Sequence, residues 1–196
     1  MAKIAHELDS ALARRRAHGT PGGTSPRVIA AGDDWTVADV LCTCGPDDRP
    51  FEERHERYAI AAVLAGSFEY RSPLGSALMT PGSLMLGNSG QRFECGHAHG
   101  EGDRCVSFWY ASDLFEQMAS DAGLRRAAAG FAVARVPPLR ELSALVTCAA
   151  VGVASLVWSD AGVVQVERRP PLAAGGKIHH VHTGDARTSG PISPRT

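Results

Sequence analysis

The sequence predicts a mainly β fold, in which a small β-barrel is followed by two α-helices and a disordered tail. Between Trp35 and Tyr110, short apolar runs alternate with turn residues about every ten positions, which is typical of a barrel or sandwich. Helix-like apolar spacing follows, and after that the periodicity is lost. The predicted segments are a helix and linker over 1–26, the barrel over 27–111, a helical extension over 112–158 and a tail over 159–196.

The composition is that of an ordinary globular protein. The chain has 196 residues, of which 44% are hydrophobic, so it is long enough for one domain with a real core. A net charge of -1 gives no sign of a nucleic-acid surface. Neither a signal peptide nor a membrane-spanning run is recognisable, so we expect a cytoplasmic protein without a membrane partner. Its five cysteines should then be reduced.

The first element is a weakly amphipathic helix over residues 2–17. Ile4, Leu8 and Leu12 recur every four residues, and three arginines follow at 14–16 before Gly19. Positive charge at the carboxyl end of a helix complements its dipole. The next residues, TPGGTS over 20–25, have the composition of a linker.

The barrel strands are predicted from alternation and turn signals. YAIAAVL, over 58–64, is almost wholly apolar and should be buried on both faces. The charged run over 52–57 is interpreted as a solvated edge that blocks further strand pairing. The other predicted strands lie within 35–44, 67–71, 77–79, 83–87, 93–95 and 106–110.

Two helices are predicted after the barrel. Ser112 or Asp113 can cap the first, which should end at Gly123. The second should run over 139–158 with an apolar stripe that requires a partner, either the barrel or a second copy of the chain.

Alternation also suggests which side chains bind a ligand. We expect Tyr58, Phe68, Leu84 and Phe93 to line the barrel lumen. Arg104 could hold a carboxylate of the ligand through two hydrogen bonds. Alternatively, Arg104 forms a salt bridge with Asp103 that stabilises a turn.

A second group of side chains has the chemistry of metal ligands. Cys95, His97 and His99 occupy alternate positions, and Cys105 follows a glycine-rich turn. Thiolate and imidazole bind zinc or iron, and His55 or Cys44 could approach from another strand. In the alternative interpretation, the histidines form hydrogen bonds within a loop and the cysteines fill the core.

Several stretches between Phe51 and Phe108 resemble a known family. FEERH, AAVLAGSFEYRS, PGSLMLGN and ECGHAHGEGDRCVSF are similar to the cupin-type sensor domain of AraC-family transcriptional regulators, and the likeness extends more weakly from Trp35 to about Leu145. The resemblance implies a cupin-like barrel (a double-stranded β-helix) that binds a small-molecule effector or forms a homodimer. It also implies a carboxyl-terminal domain with helix-turn-helix units, which would need on the order of a hundred further residues. The tail over 159–196 stands in that place, as a genuine tail or the product of a changed reading frame, so we expect no direct DNA binding.

Two other interpretations are compatible with the sequence. A small metal-dependent cupin enzyme, of dioxygenase or isomerase type, would share the spacing from Gly75 to Pro81. In such enzymes the H-x-H pair precedes that segment, whereas His97 and His99 follow it, so we expect no catalytic activity. The third possibility is a nonfunctional remnant that still dimerises through the 139–158 helix.

Overall fold

The computed structural model describes residues 2–124 and 130–155 and confirms the predicted fold class. A helix, α1 (Ala2–His18), precedes the barrel, and a 3-10 turn over Arg140–Leu142 lies between its last strand and the final helix. The strands are β1 (Thr24–Ala31), β2 (Trp35–Cys42), β3 (Phe51–Arg54), β4 (Tyr58–Gly66), β5 (Phe68–Ser72), β6 (Gly75–Met79), β7 (Leu84–Gly87), β8 (Arg92–Gly96), β9 (Asp103–Tyr110) and β10 (Arg135–Val136), and the later helices are α2 (Ser112–Asp121) and α3 (Ser143–Ser155).

The strands form two antiparallel sheets. One has the order β1-β2-β9-β4-β7-β10 and the other has the order β3-β8-β5-β6. A single core cluster contains Val63 and Met85 from the first sheet together with Tyr70 and Met79 from the second. The two sheets therefore pack face to face and enclose the lumen of a small barrel.

Strand β4 is buried on both faces, as its apolar sequence predicts. Ala61 and Val63 belong to the core between the sheets, whereas Ala62 belongs to a second cluster on the outer face, with Leu84 and Leu86. Successive side chains of a strand point to opposite faces, so a strand covered on both sides needs apolar residues at every position.

Helices cover the outer face of the six-stranded sheet. Leu8 and Leu12 of α1 are buried, and Leu142 and Val146 pack against the outer cluster. The barrel is thus the partner of this part of the predicted apolar stripe, whereas Leu145 on α3 is exposed. The end of the predicted helix, at 156–158, and the predicted tail over 159–196 lie outside the described residues.

Three elements differ from the sequence-based expectation. Strand β1 begins at Thr24, inside the predicted linker, because its backbone pairs with β2 from Thr24 opposite Cys42 onward. The charged run contributes β3, an edge strand whose glutamates and arginine remain exposed. Strand β10 pairs with β7 and therefore extends the barrel sheet beyond residue 111. Among the described helices, none combines the length and apolar character needed to cross a membrane.

Candidate functional site

A cavity of about 720 Å³ lies between the two sheets. Strand β9 forms one wall with Cys105, Ser107 and Trp109, which are alternate residues and so share one face of the strand. Phe68 and Phe93 contribute aromatic surface from the opposite sheet. The segment over 53–57 also borders the cavity, and its charged side chains are exposed, so this segment forms the mouth.

The predicted ligand-binding residues divide between the two faces of the barrel. Phe68 and Phe93 border the cavity, where their binding role stays a prediction. Leu84 belongs to the outer apolar cluster. The ring of Tyr58 stacks on Phe115 of α2, with ring centroids 3.9 Å apart. The expectation that Tyr58 and Leu84 line the lumen is therefore wrong, because their strands present these positions to the helical side.

Arg104 also lies on the outer face. Its side chain is 2% exposed and donates hydrogen bonds to both carboxylate oxygens of Asp39, at 2.8 and 2.9 Å. It also contacts Glu7 of α1 at 2.6 Å. Asp103, which the sequence offered as the alternative partner, directs its carboxylate to His97 in the lumen, because neighbours along a strand point to opposite faces. Arg104 therefore forms the predicted pair of hydrogen bonds with a carboxylate of the chain itself, that of Asp39, and not with a ligand.

The four predicted metal ligands do not form one site. Cys95 and Cys105 are buried in the core cluster between the sheets, and the Cys105 thiol lies 3.3 Å from Asp103 Oδ1. His99 is exposed. His97 is buried and borders the cavity. The spacing over 95–105 thus identifies one member of a candidate site, and its partners come from elsewhere.

Those partners are Cys42 and Cys44. One ligand atom from each of Cys42, Cys44 and His97 lies within 4.8 Å of the others, and all three residues are buried. Cys42 is the last residue of β2, and His97 follows β8 directly. The sheets therefore bring together positions more than fifty residues apart in the sequence. The C-T-C sequence over 42–44 is recognisable as a pair of potential metal ligands, but the sequence alone does not show that His97 lies beside them.

Asp103 completes the group from the first position of β9. The strand register pairs Asp103 with Cys42, and Asp103 Oδ2 lies 2.8 Å from Nε2 of His97. Burial lowers the pKa of His97, but the hydrogen bond to Asp103, followed by contacts with Cys42, outweighs it and raises the pKa to about 9. Burial raises the pKa of the Cys42 and Cys44 thiols. In the metal-free protein at neutral pH, both thiols therefore hold their protons.

A second histidine occupies the opposite part of the lumen. His55 stacks on Phe93, with ring centroids 4.0 Å apart, and its Nε2 lies 2.8 Å from the Tyr70 hydroxyl. Burial lowers the pKa of His55 to about 4. Burial likewise raises the pKa of Tyr70 to about 12. This pair is neutral near pH 7 and contributes a polar contact without charge.

Comparison with known proteins yields fold likenesses only. No family model and no curated protein matches the sequence. Solved structures that are similar include a cupin superfamily protein from Desulfitobacterium hafniense (8% identity, 47% of this chain, 82% of that chain, TM-score 0.40). A cupin domain from Bordetella pertussis is similar at 15% identity, over 47% of this chain and 98% of that chain, with a TM-score of 0.38. The EutQ protein of Clostridium difficile is similar at 11% identity, over 46% of this chain and 69% of that chain, with a TM-score of 0.39. Likenesses this weak carry no argument about function.

Proposed function

We propose that the protein is a sensor domain of AraC type that binds a small organic molecule in the lumen of its barrel. The observation that carries the proposal is the cavity of about 720 Å³ between the sheets. Ligand sites of roughly 300–1,000 Å³ are usual for small molecules, and they are mostly apolar with a few placed polar groups. The lumen has this character, with Phe68, Met85 and Phe93 beside Ser107 and Thr36.

The lining indicates the class of effector. Aromatic side chains on opposite sheets favour a flat apolar body, because stacking and apolar burial reward such shapes. The mouth carries Arg54 and Arg57 next to Glu53 and Glu56, which could orient a charged or polar end near solvent. We infer a small aromatic or alicyclic molecule with one polar terminus.

Strand β9 provides a route by which binding could be transmitted. Cys105 and Ser107 face the cavity, whereas Arg104, one residue away, contacts Glu7 of α1 on the outer face. A ligand that shifts the backbone of β9 would therefore also shift the anchor of α1. Resemblance of the ECGHAHGEGDRC stretch to AraC-type sensors supports the same interpretation.

A regulatory domain of this type would also act as a homodimer. Leu145 and Val151 of α3 are 49% and 56% exposed, whereas Val146 of the same helix packs against the outer apolar cluster and Ala150 is buried. Exposed apolar surface is a feature of many protein–protein interfaces. We propose that two copies associate through this face of α3.

The alternative is a small metal-dependent cupin enzyme. One observation favours it, namely that His97 and Cys42 border the same cavity in which a substrate would bind. Turnover of a bound compound by the zinc- or iron-loaded protein, and its loss on removal of the metal, would support this alternative over the sensor.

The sensor proposal is tested by screening small aromatic acids, amides and amines for thermal stabilisation, followed by calorimetric titration of the compounds that stabilise. Ser107→Phe places a ring in the lumen and should weaken binding at least about tenfold, since the ligand and the ring compete for one volume. Ser76→Phe is the matched control, because Ser76 is exposed on β6 and should leave affinity unchanged. Equal losses in both variants, or no stabilising compound and no native-state binding of an apolar fluorescent dye, would count against the proposal.

A further inference from the structure

We propose that Cys42, Cys44 and His97 bind a zinc ion at one end of the barrel lumen. The inference concerns a metal and does not depend on the effector proposed above. It rests on the proximity of three buried side chains that all carry zinc-binding atoms. The ions that prefer such a set are those bound by thiolate and imidazole, which excludes magnesium and calcium.

The spacing of the three ligand atoms fits zinc after small side-chain movements. In a tetrahedral site, Zn–S distances near 2.3 Å and Zn–N distances near 2.0 Å place the ligand atoms about 3.5–3.8 Å apart. The three atoms lie within 4.8 Å of one another without an ion. An ion between them therefore needs any two ligand atoms to approach each other by no more than about 1.3 Å. Three protein ligands leave a fourth position for water or another ligand.

The histidine already has the outer partner that zinc sites use. A metal-bound histidine usually gives its second ring nitrogen to a carboxylate, which fixes the ring and increases its basicity. His97 Nε2 is 2.8 Å from Asp103 Oδ2, and the Asp103 side chain is only 7% exposed. Because Nε2 is engaged in this way, the proposed zinc would bind Nδ1, the other ring nitrogen. Asp103 is accordingly a positioning residue.

The segment that carries the two cysteines is held from several directions. Gly102 donates its backbone N–H to the Cys44 carbonyl at 2.8 Å, and Arg15 of α1 donates to the Thr43 carbonyl at 2.5 Å. Asp48 Oδ2 accepts from the backbone N–H of Gly45 at 2.7 Å. A loop fixed in this way loses little conformational entropy when it binds an ion, which favours affinity.

Two glycines pack closely against the segment that carries Cys42 and Cys44. A Cβ on Gly22 would lie 2.5 Å from the Cys44 Cα, and a Cβ on Gly102 would lie 2.8 Å from the Cys42 carbonyl oxygen. Gly102 also has a φ of +67°, which favours glycine. Glycine at both positions allows the chain to approach the two cysteines closely enough to fix the loop.

The experiment uses the full chain, stripped of metal with a chelator under reducing conditions and titrated with zinc alone. We expect one zinc per chain by elemental analysis and a raised melting temperature, because the ion binds the folded state. Cobalt in place of zinc should give thiolate-to-metal absorption with the intensity of two thiolates, together with the visible bands of a tetrahedral ion. In urea concentrations that partly unfold the metal-free protein, zinc should also slow alkylation of Cys42 and Cys44, as read by mass spectrometry, and leave the exposed Cys148 reactive.

Variants assign the ligands. Cys42→Ser, Cys44→Ser and His97→Gln should each abolish stoichiometric binding, and Asp103→Asn should weaken it by about tenfold or more. Cys148→Ser and Cys95→Ala are the controls and should bind zinc as the unmodified chain does. Should a ligand variant fail to fold, the cobalt spectrum and the alkylation pattern of the unmodified chain decide alone. The proposal is overturned by absence of zinc binding, by a Cys42–Cys44 disulfide that persists in reductant, or by equal loss in Cys95→Ala.

Discussion

Arg104 and Asp39 form a two-pronged ion pair across β9 and β2, with both side chains almost fully buried. The ion pair lies beneath α1, and Glu7 of that helix contacts the Arg104 guanidinium. Arg27 of β1 donates a hydrogen bond to Asp39 at 2.7 Å. The pair therefore connects the first helix and three strands. Removal of one buried partner leaves the other charge without full compensation.

Arg104→Met should accordingly lower the free energy of unfolding by about 3–5 kcal/mol. Arg71→Met is the matched control, since Arg71 pairs with Glu69 and Glu94 on the exposed surface and should contribute less than about 1 kcal/mol. Urea denaturation followed by circular dichroism measures both. A similar decrease in the free energy of unfolding in both variants would contradict the prediction that the buried Arg104–Asp39 pair contributes more to stability than an exposed pair.

The depressed pKa of His55 predicts acid sensitivity. His55 has a pKa of about 4 in the folded state and 6.5 as its ordinary value, so the unfolded chain binds the extra proton first as pH falls. This contribution to stability is complete above pH 6.5 and is lost as pH decreases toward 4. The free energy of unfolding should fall by roughly 2 kcal/mol between pH 7 and pH 5 from this residue.

His55→Phe separates that effect from the titration of the carboxyl groups. The variant keeps a ring against Phe93 but has no titratable group, so its stability should change less between pH 7 and pH 5. Denaturant titrations at several pH values, with unmodified protein beside it, provide the comparison. Parallel pH profiles for the two proteins would contradict the assignment to His55.

Gly66→Ala tests the contact between the end of β4 and the start of β9. Gly66 has a φ of +73°, and a Cβ there would lie 2.1 Å from the Gly102 carbonyl oxygen. We expect a loss of more than about 2 kcal/mol, because backbone strain and a clash with another backbone segment combine. Gly90→Ala, with a φ of +80° and no atom within 4 Å of the added Cβ, should cost only about 1 kcal/mol. Thermal melting distinguishes the two cases.

The proposed dimer is tested on α3. We expect two chains per particle by light scattering coupled to size exclusion, and one chain for Val151→Glu, because a charge buried in an apolar interface is costly. Val28→Glu is the control, since Val28 is also 50% exposed but lies on β1. A single chain in the unmodified protein would exclude the dimer under those conditions.

Sequence patterns predicted the barrel because alternation is a local property. The strands around Phe68, Phe93 and Val106 follow the period of two, and turn residues separate them. The assignment of faces failed for Tyr58 and Leu84 for a physical reason. Where helices cover the outside of a sheet, both faces are apolar, and alternation no longer tells the lumen from the outer side.

Sites that depend on register were beyond local patterns. Arg104 and Asp39 are 65 residues apart in sequence, and no motif connects them. Cys42 meets His97 only because β2 pairs with β9 so that Cys42 lies opposite Asp103. The histidine was recognisable as a candidate ligand, but its partners required the strand order.

Strand β10 has a consequence for how this barrel can be exchanged between proteins. Although it has only two residues, it pairs with Met85 and Leu84 at the edge of the sheet, and Phe131 before it is held by two hydrogen bonds with Asn88, at 2.7 and 3.0 Å. A gene fusion or recombination event with its junction after residue 111 would deliver a module whose outer apolar cluster faces water. The smallest portable unit therefore extends at least through Val146, so a natural or engineered chimera would inherit the helix together with the barrel.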